Sequence, residues 1–234
     1  MNVEIIAEIG QNHNGDIILA KELIHSAKES GADVAKFQVY DARALFPKEG
    51  NEWFDYNCKT ELSRKQIEEL AEECGRVDIE FMASVFDMER VVWLEEVGVK
   101  RYKIASRSIR DTDLIAALTA TGKPLLASLG MWKGSKFPEI KNSVKVDFLY
   151  CISKYPTPLS DLQLSQVDFD IYAGFSDHTI GVNASIAALA RGAKVLEKHF
   201  TLDKSLTGPD HSGSMTPEEL AVIHAFRNDL RQSL

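Results

Sequence analysis

Gly174–Phe200 reads GFSDHTIGVNASIAALARGAKVLEKHF, and its pattern decides the architecture. Two short apolar runs, Ile171–Phe175 and Ala193–Leu196, flank an Ala-rich helical pattern at Val182–Arg191. A strand, a crossover helix and a second strand make a parallel pair. A histidine closely follows each run, His178 in SDHT and His199 in EKHF. Neighbouring parallel strands bring both imidazoles to one rim, and two imidazoles on one rim are the minimum of a divalent-metal site.

The same unit repeats outward from this stretch. Strands are expected near Val3–Ile9, Val34–Gln38, Ile79–Ala83, Arg101–Ile104, Pro124–Ser128 and Val146–Cys151, before the two already named. Helices are expected near Ile17–Ser30, Arg64–Cys74, Met88–Val97, Asp113–Ala120, Glu139–Asn142, Leu159–Gln166, Val182–Arg191 and Pro217–Gln232. Gly31, Gly98, Gly122 and Gly192 each stand between a helix and the next strand, as C-caps before tight turns do. Eight strand–helix units in 234 residues predict a single α/β domain over 1–234, a closed (β/α)8 TIM barrel. The longest irregular piece, Tyr40–Ser63, is either a lid or an excursion packed over the barrel rim. Phe37, Phe81, Phe148 and Phe169 alternate with apolar neighbours and are expected in the core, with Trp93 on a helix facing the sheet.

Composition excludes several classes. The net charge of −8 leaves no long basic face to release counterions, so nucleic acid is not an expected partner. No apolar run is long enough for a membrane span, and MNVEIIAEIG lacks the basic start and apolar core of a secretion signal. Three widely spaced cysteines (Cys58, Cys74, Cys151) fit neither a disulfide framework nor a Cys-type zinc site. A cytoplasmic location is expected.

Catalytic groups of such barrels sit where strands end. The strand ends here carry Glu8, Lys36 with Gln38, Ser84, Lys103 with Ser106, Arg107 and Ser108, Ser128, Ser153 before Tyr155, Ser176 with Asp177, and Glu197 with Lys198. Inward lysines are costly unless an anion or a carboxylate meets them. With several serines beside them, Lys36 and Lys103 point to a phosphate-and-carboxylate ligand. Their alternative is pairing with strand carboxylates such as Glu8 or Glu197. For His178 and His199 the alternative is local hydrogen bonding alone. His13 and His211 fall in rim loops and are candidates for substrate contact, whereas His25 and His224 lie in helical patterns.

AEIGQNHNG (Ala7–Gly15), AKFQ (Ala35–Gln38), YKIAS (Tyr102–Ser106), YPTP (Tyr155–Pro158), GFSDHT (Gly174–Thr179), EKHFT (Glu197–Thr201) and GPD (Gly208–Asp210) together resemble the sialic acid synthase family. That family includes N-acetylneuraminate, pseudaminate and legionaminate synthases. The resemblance runs along nearly the whole chain, one motif per strand end. It implies a barrel that condenses phosphoenolpyruvate with an aldose, such as an N-acetylmannosamine-like amino sugar, to a 2-keto-3-deoxy sugar acid and phosphate. It implies a divalent metal, manganese foremost with magnesium or cobalt as alternatives, on His178 and His199. Phosphoenolpyruvate contacts fall on Lys36, Lys103, Ser106, Ser128, Ser153 and Ser176, with Glu8 as catalytic carboxylate. Sugar-side positions are Gln38, Tyr155 and Asp210, with Ser108 at the place of a family carboxylate and Arg107 beside it. Ser153 stands where the family has asparagine. A homo-oligomer is expected, and the barrel alone, without the C-terminal antifreeze-like domain whose arginine reaches a partner's sugar site.

Other readings remain open at this point. An enzyme of the 3-deoxy-heptulosonate or octulosonate type takes an aldose phosphate, which Arg107 suits. A Schiff-base aldolase uses Lys36 or Lys103 as nucleophile. A non-catalytic barrel senses phosphoenolpyruvate or a sugar acid.

Overall fold

The computed structural model describes residues 3–140 and 144–233. Its strands are β1 (Glu4–Gly10), β2 (Val34–Val39), β3 (Glu80–Val85), β4 (Tyr102–Ile104), β5 (Leu125–Ser128), β6 (Val146–Cys151), β7 (Gly174–Asp177) and β8 (Val195–His199). All pair in parallel and in sequence order, and β8 closes on β1. The expected (β/α)8 TIM barrel is the observed fold.

Side-chain alternation along the strands sorts the residues into two compartments. Ile6, Val34, Met82, Leu126 and Leu149 form a small apolar plug in the barrel interior. Two residues further along their strands, Glu8, Lys36, Ser84, Ser128 and Cys151 make the next interior layer polar. The outward positions, among them Ile5, Phe37, Phe81, Tyr102, Phe175 and Leu196, pack under the helices in one continuous core. A barrel interior therefore starts dry at the N-terminal end of the strands and turns ionic toward their C-terminal end.

The helices are α1 (Ile17–Glu29), α2 (Ala42–Leu45), α3 (Phe54–Lys59), α4 (Arg64–Arg76), α5 (Met88–Glu96), α6 (Thr112–Ala120), α7 (Asn183–Ala190) and α8 (Pro217–Ser233). Side chains cap several of them: Asp16, Asp87 and Asp111 accept from first-turn amides, and Ser63 with Gln66 forms a capping box. Two expected helices are absent. Leu159–Gln166 holds two separate 3-10 turns, because Gln163 between them takes a left-handed φ of 43° that a helix cannot pass through. Of the Glu139–Asn142 expectation, 139 and 140 are irregular and 141–142 lie outside the described residues.

The β7 and β8 strands shift furthest against expectation. The β7 strand starts at Gly174 rather than Ile171, because the Asp168 carboxylate accepts from the Asp170 amide and its carbonyl from the Tyr172 amide, closing a turn. The β8 strand runs on to His199, since its pairing with β1 continues to the Glu8–His199 level and the Phe200 amide reaches the Glu8 carbonyl at 2.8 Å.

The 40–63 segment is a packed excursion carrying α2 and α3. Glu61 accepts from the Ala42 amide (2.9 Å) and pairs with Arg90 (3.2 Å). Gln11 donates to Tyr40 Oη (2.5 Å) and Asn57 Oδ1 (3.0 Å), and Tyr56 Oη donates to Asn14 Oδ1 (2.6 Å). Asn14 Oδ1 also lies 3.0 Å from His211 Nε2, so one amide oxygen ties the loops after β1, β2 and β8 together. His13 and His211 are buried in this rim packing, not presented to a ligand. Their Nδ1 atoms bond locally, His13 Nδ1 accepting from the Gly15 amide (3.2 Å) and His211 Nδ1 meeting Thr201 Oγ1 (2.7 Å), while His13 Nε2 is buried without a hydrogen-bond partner.

Behind β7 and β8, Asp177 and Lys198 point outward and pair at 3.1 Å. Both side chains are fully buried; Ser185 Oγ and the Thr179 amide donate to Asp177, and Lys198 Nζ donates to the Thr179 carbonyl. Among the described residues no helix is long and apolar enough to cross a membrane.

Removing one partner of a buried pair strands the other charge. Asp177→Ala is expected to cost about 3–5 kcal/mol in urea unfolding, with much of the loss recovered in Asp177→Leu/Lys198→Met. A loss under about 1 kcal/mol means the pair is not what fixes this layer. Burial, opposed by nearby Asp16, lowers the His13 pKa from 6.5 to about 4. The folded chain therefore holds His13 neutral where the unfolded chain protonates it, and stability present above pH 6.5 drains as pH falls toward 4. By pH 5 the wild type should lose about 2 kcal/mol more than His13→Gln, read from denaturation midpoints at pH 7.5 and 5. Equal losses in the two proteins would sink the assignment.

Candidate active site

At the C-terminal mouth of the barrel lies a cleft of about 870 Å³. Its floor is the polar interior layer. Lys36 Nζ stands 2.6 Å from Glu8 Oε2 and 3.4 Å from Glu197 Oε2, and Lys103 Nζ 3.4 Å from Glu197 Oε1. The carboxylate partners weighed against an anion in the sequence are thus present, and Glu197 bridges both lysines. Serines complete the layer: Lys36 donates to Ser84 Oγ (3.0 Å), Lys103 to Ser128 Oγ (2.7 Å), and Ser176 to Glu197 (2.8 Å).

Charge in this layer is shared unequally. Burial lowers the Lys36 pKa, but Glu197 and Glu8 outweigh it and hold Lys36 above its usual value. Lys36 is therefore a fixed cation, unsuited to the free amine that a Schiff base requires. Burial, against the pull of Glu197, keeps Lys103 below its usual value, with Lys36 adding repulsion. Burial raises Glu197, and the two lysines reverse that to hold it well below the carboxylate range.

Two glycines permit close approach. Gly10 sits at φ 54°, at the irregularity in the β1–β2 ladder. A Cβ there would stand 3.2 Å from Gln38 Nε2 and 3.3 Å from Glu8 Oε1, atoms that bond to each other at 3.0 Å. Gly130 faces Ser153 Oγ and Cys151 Sγ, which a Cβ would meet at 2.5 and 3.0 Å. The Gly130 amide donates to Ser106 Oγ (3.1 Å), and the buried Ser153 Oγ has no hydrogen-bond partner.

On the β7–β8 side the two imidazole centroids are 5.9 Å apart. His178 Nδ1 donates to the Ile152 carbonyl (2.8 Å), which can only accept, so its Nε2 is the free nitrogen. Cys151 Sγ lies 3.7 Å from the same Nδ1. His199 Nδ1 is buried without a hydrogen-bond partner, 3.8 Å from Asp210 Oδ2. Tyr155 lies over His178, its ring 4.1 Å away. Among the described residues no three His, Cys, Asp or Glu side chains converge as a preformed metal cluster. The donor set still fits a divalent cation with open positions: two imidazole nitrogens, one of them orphaned, beside a carboxylate.

Of the residues singled out in the sequence, Glu8, Lys36, Gln38, Lys103, Ser106, Arg107, Ser128, Ser153, Tyr155, Ser176, His178, His199 and Asp210 all line this cleft. Ser108 does not; the short 3-10 turn Ser106–Ser108 buries it while Arg107 faces the opening. Asp177 also departs from the rim, since its alternation with Ser176 sends it outward. Asn51, Asn57, Met131 and Lys133 line the cleft without having been singled out. Lys133 alone had a signal, a cation shortly past the fifth strand end.

A family model described as the NeuB family matches residues 23–234. The chain is 40% identical over 226 residues to the uncharacterized protein MJ1065 of Methanocaldococcus jannaschii, covering 92% of this chain and 67% of that protein. It is 37% identical over 246 residues to the N,N'-diacetyllegionaminic acid synthase of Campylobacter jejuni, covering 94% of this chain and 73% of that enzyme. Among solved structures, the N-acetylneuraminic acid (sialic acid) synthetase from Leptospira borgpetersenii superposes with a TM-score of 0.93 at 32% identity, over 100% of this chain and 85% of that one. With its barrel, its strand-end motifs and these relatives in agreement, the chain belongs to the NeuB family.

Proposed function

We propose that the chain condenses phosphoenolpyruvate with an aldose and water to a 2-keto-3-deoxy sugar acid and phosphate, as a synthase of nonulosonic-acid type. The observation that carries this is the joining, in one cleft, of the lysine–serine floor to the two histidines and Asp210. The names of the synthase relatives support the same chemistry.

Lys36, Lys103, Ser106, Ser128, Ser153 and Ser176 hold the phosphate and carboxylate of phosphoenolpyruvate. Their cost of burial is already met by Glu8 and Glu197, so the seat is preformed. Fixing the enol C3 against the aldehyde carbon replaces a bimolecular encounter with a positioned one, a large part of the rate. His178 and His199 hold a divalent cation, manganese foremost, with Asp210 beside them. When bound, that cation polarises the aldehyde and stabilises negative charge on its oxygen. Gln38 and Tyr155 line the aldose side, Gln38 also orienting Glu8 through its 3.0 Å bond.

C3 attacks the aldehyde carbon, the new C–C bond forms, and the aldehyde oxygen becomes a hydroxyl by taking up a proton. C2 is left cationic. Water adds there and gives its proton to Glu8. The C2–O bond to phosphate then breaks, phosphate departs, and C2 becomes the ketone as its hydroxyl loses a proton.

The test follows inorganic phosphate released from phosphoenolpyruvate across a panel of aldoses, with manganese and after chelation. Release should require both aldose and metal. His178→Ala and His199→Ala should each lower it at least about a hundredfold. Full activity in chelated enzyme or in either variant contradicts the metal assignment. No release with any aldose contradicts the reaction.

A further inference from the structure

The floor of the cleft is electrically balanced, two lysines against two glutamates. Its outer wall beyond β4 and β5 is not. Arg107 and Lys133 line the same cleft there, and among the described residues neither has an ion-pair partner. Arg107 is not a loose surface cation. Its Nη2 donates to the Leu45 carbonyl at 3.2 Å, and its guanidinium lies 5.2 Å from the centre of the Phe46 ring. That contact uses one of its five donors and leaves the rest of the fork for a ligand.

The closed strand order places this wall opposite the histidines. In a ring running β1 to β8, β4 stands four strands from β8. An aldose whose aldehyde meets His178, His199 and Asp210 directs its far end across the mouth, toward Arg107. Neutral hydroxyls do not call for unpaired cations, whereas a phosphate or carboxylate meets a guanidinium fork with parallel, charge-assisted bonds.

We infer that Arg107, with Lys133, forms a subsite for an anionic substituent on the end of the aldose remote from its aldehyde. The substrate class is then an aldose phosphate or an acidic aldose, not a neutral sugar. This rests on the proposed reaction for the sugar's orientation, yet its binding test does not need turnover.

Calorimetry on the full chain compares N-acetylmannosamine, its 6-phosphate and mannuronic acid, each against the wild type, Arg107→Met and Arg107→Lys. The 6-phosphate should bind the wild type about ten- to a hundredfold more tightly than the neutral sugar. Arg107→Met should collapse that ratio toward one, and Arg107→Lys should restore part of it. Preference for mannuronic acid over the phosphate makes the substituent a carboxylate within the same subsite. In kinetics the KM for the anionic aldose should rise in Arg107→Met far more than the KM for phosphoenolpyruvate. Equal binding of neutral and anionic sugars by the wild type, or a rise mainly in the KM for phosphoenolpyruvate, overturns the subsite. Arg107-dependent binding without phosphate release would leave the subsite standing and remove the reaction.

Discussion

Everything at the mouth of this barrel depends on a buried quartet: Lys36 and Lys103 against Glu8 and Glu197. Four charges taken out of water are tolerable only when they neutralise one another and their remaining donors are used. Ser84 and Ser128 accept from the two lysines, and Ser176 donates to Glu197. The quartet also sets the electrostatics of the cleft above it. Because its charges cancel, the phosphate and carboxylate of the proposed ligand would compete with the glutamates for the lysine donors instead of meeting bare cations. Because the four side chains rise from β1, β2, β4 and β8 and meet across the barrel interior, the closed sheet holds the donors at fixed separation before any ligand arrives.

A second layer of constraint keeps the rim in place. Asp177 and Lys198 pair behind β7 and β8, so the loop that carries His178 leaves a strand end anchored from its outer face. On the other side Asn14, Tyr56 and His211 join three loops through one amide oxygen. That junction stands next to Gly208 and Asp210, with no room for a side chain at 208, where a Cβ would meet Tyr56 Oη at 2.6 Å. The polar residues of the rim thus divide into those that face the cleft and those that hold the first group still.

Much of this was legible in the sequence, and the limits have physical causes. Strand alternation and glycine stops announced the barrel because local signals and topology agree in parallel α/β folds. Lys36, Lys103 and the histidines were placed at strand ends by the same period. What the sequence could not show is which way a residue turns once a strand ends. Ser108 is carried inward by a 3-10 turn that presents Arg107 instead. His13 and His211 sit in loops that read as exposed and are buried by contacts with segments far along the chain. The missing helix at Leu159–Gln166 turns on one left-handed residue, Gln163, which carries no glycine or asparagine to advertise it.

The central chemical claim is that the floor holds phosphoenolpyruvate while water attacks C2, so that the C–O bond breaks and not the P–O bond. Phosphoenolpyruvate labelled with oxygen-18 at its bridging enol oxygen tests this most directly, with both products of one turnover analysed by mass. The arrangement of Glu8 beside the lysine seat predicts that the label leaves with phosphate and that the C2 ketone oxygen derives from solvent. Label retained in the sugar acid would contradict it.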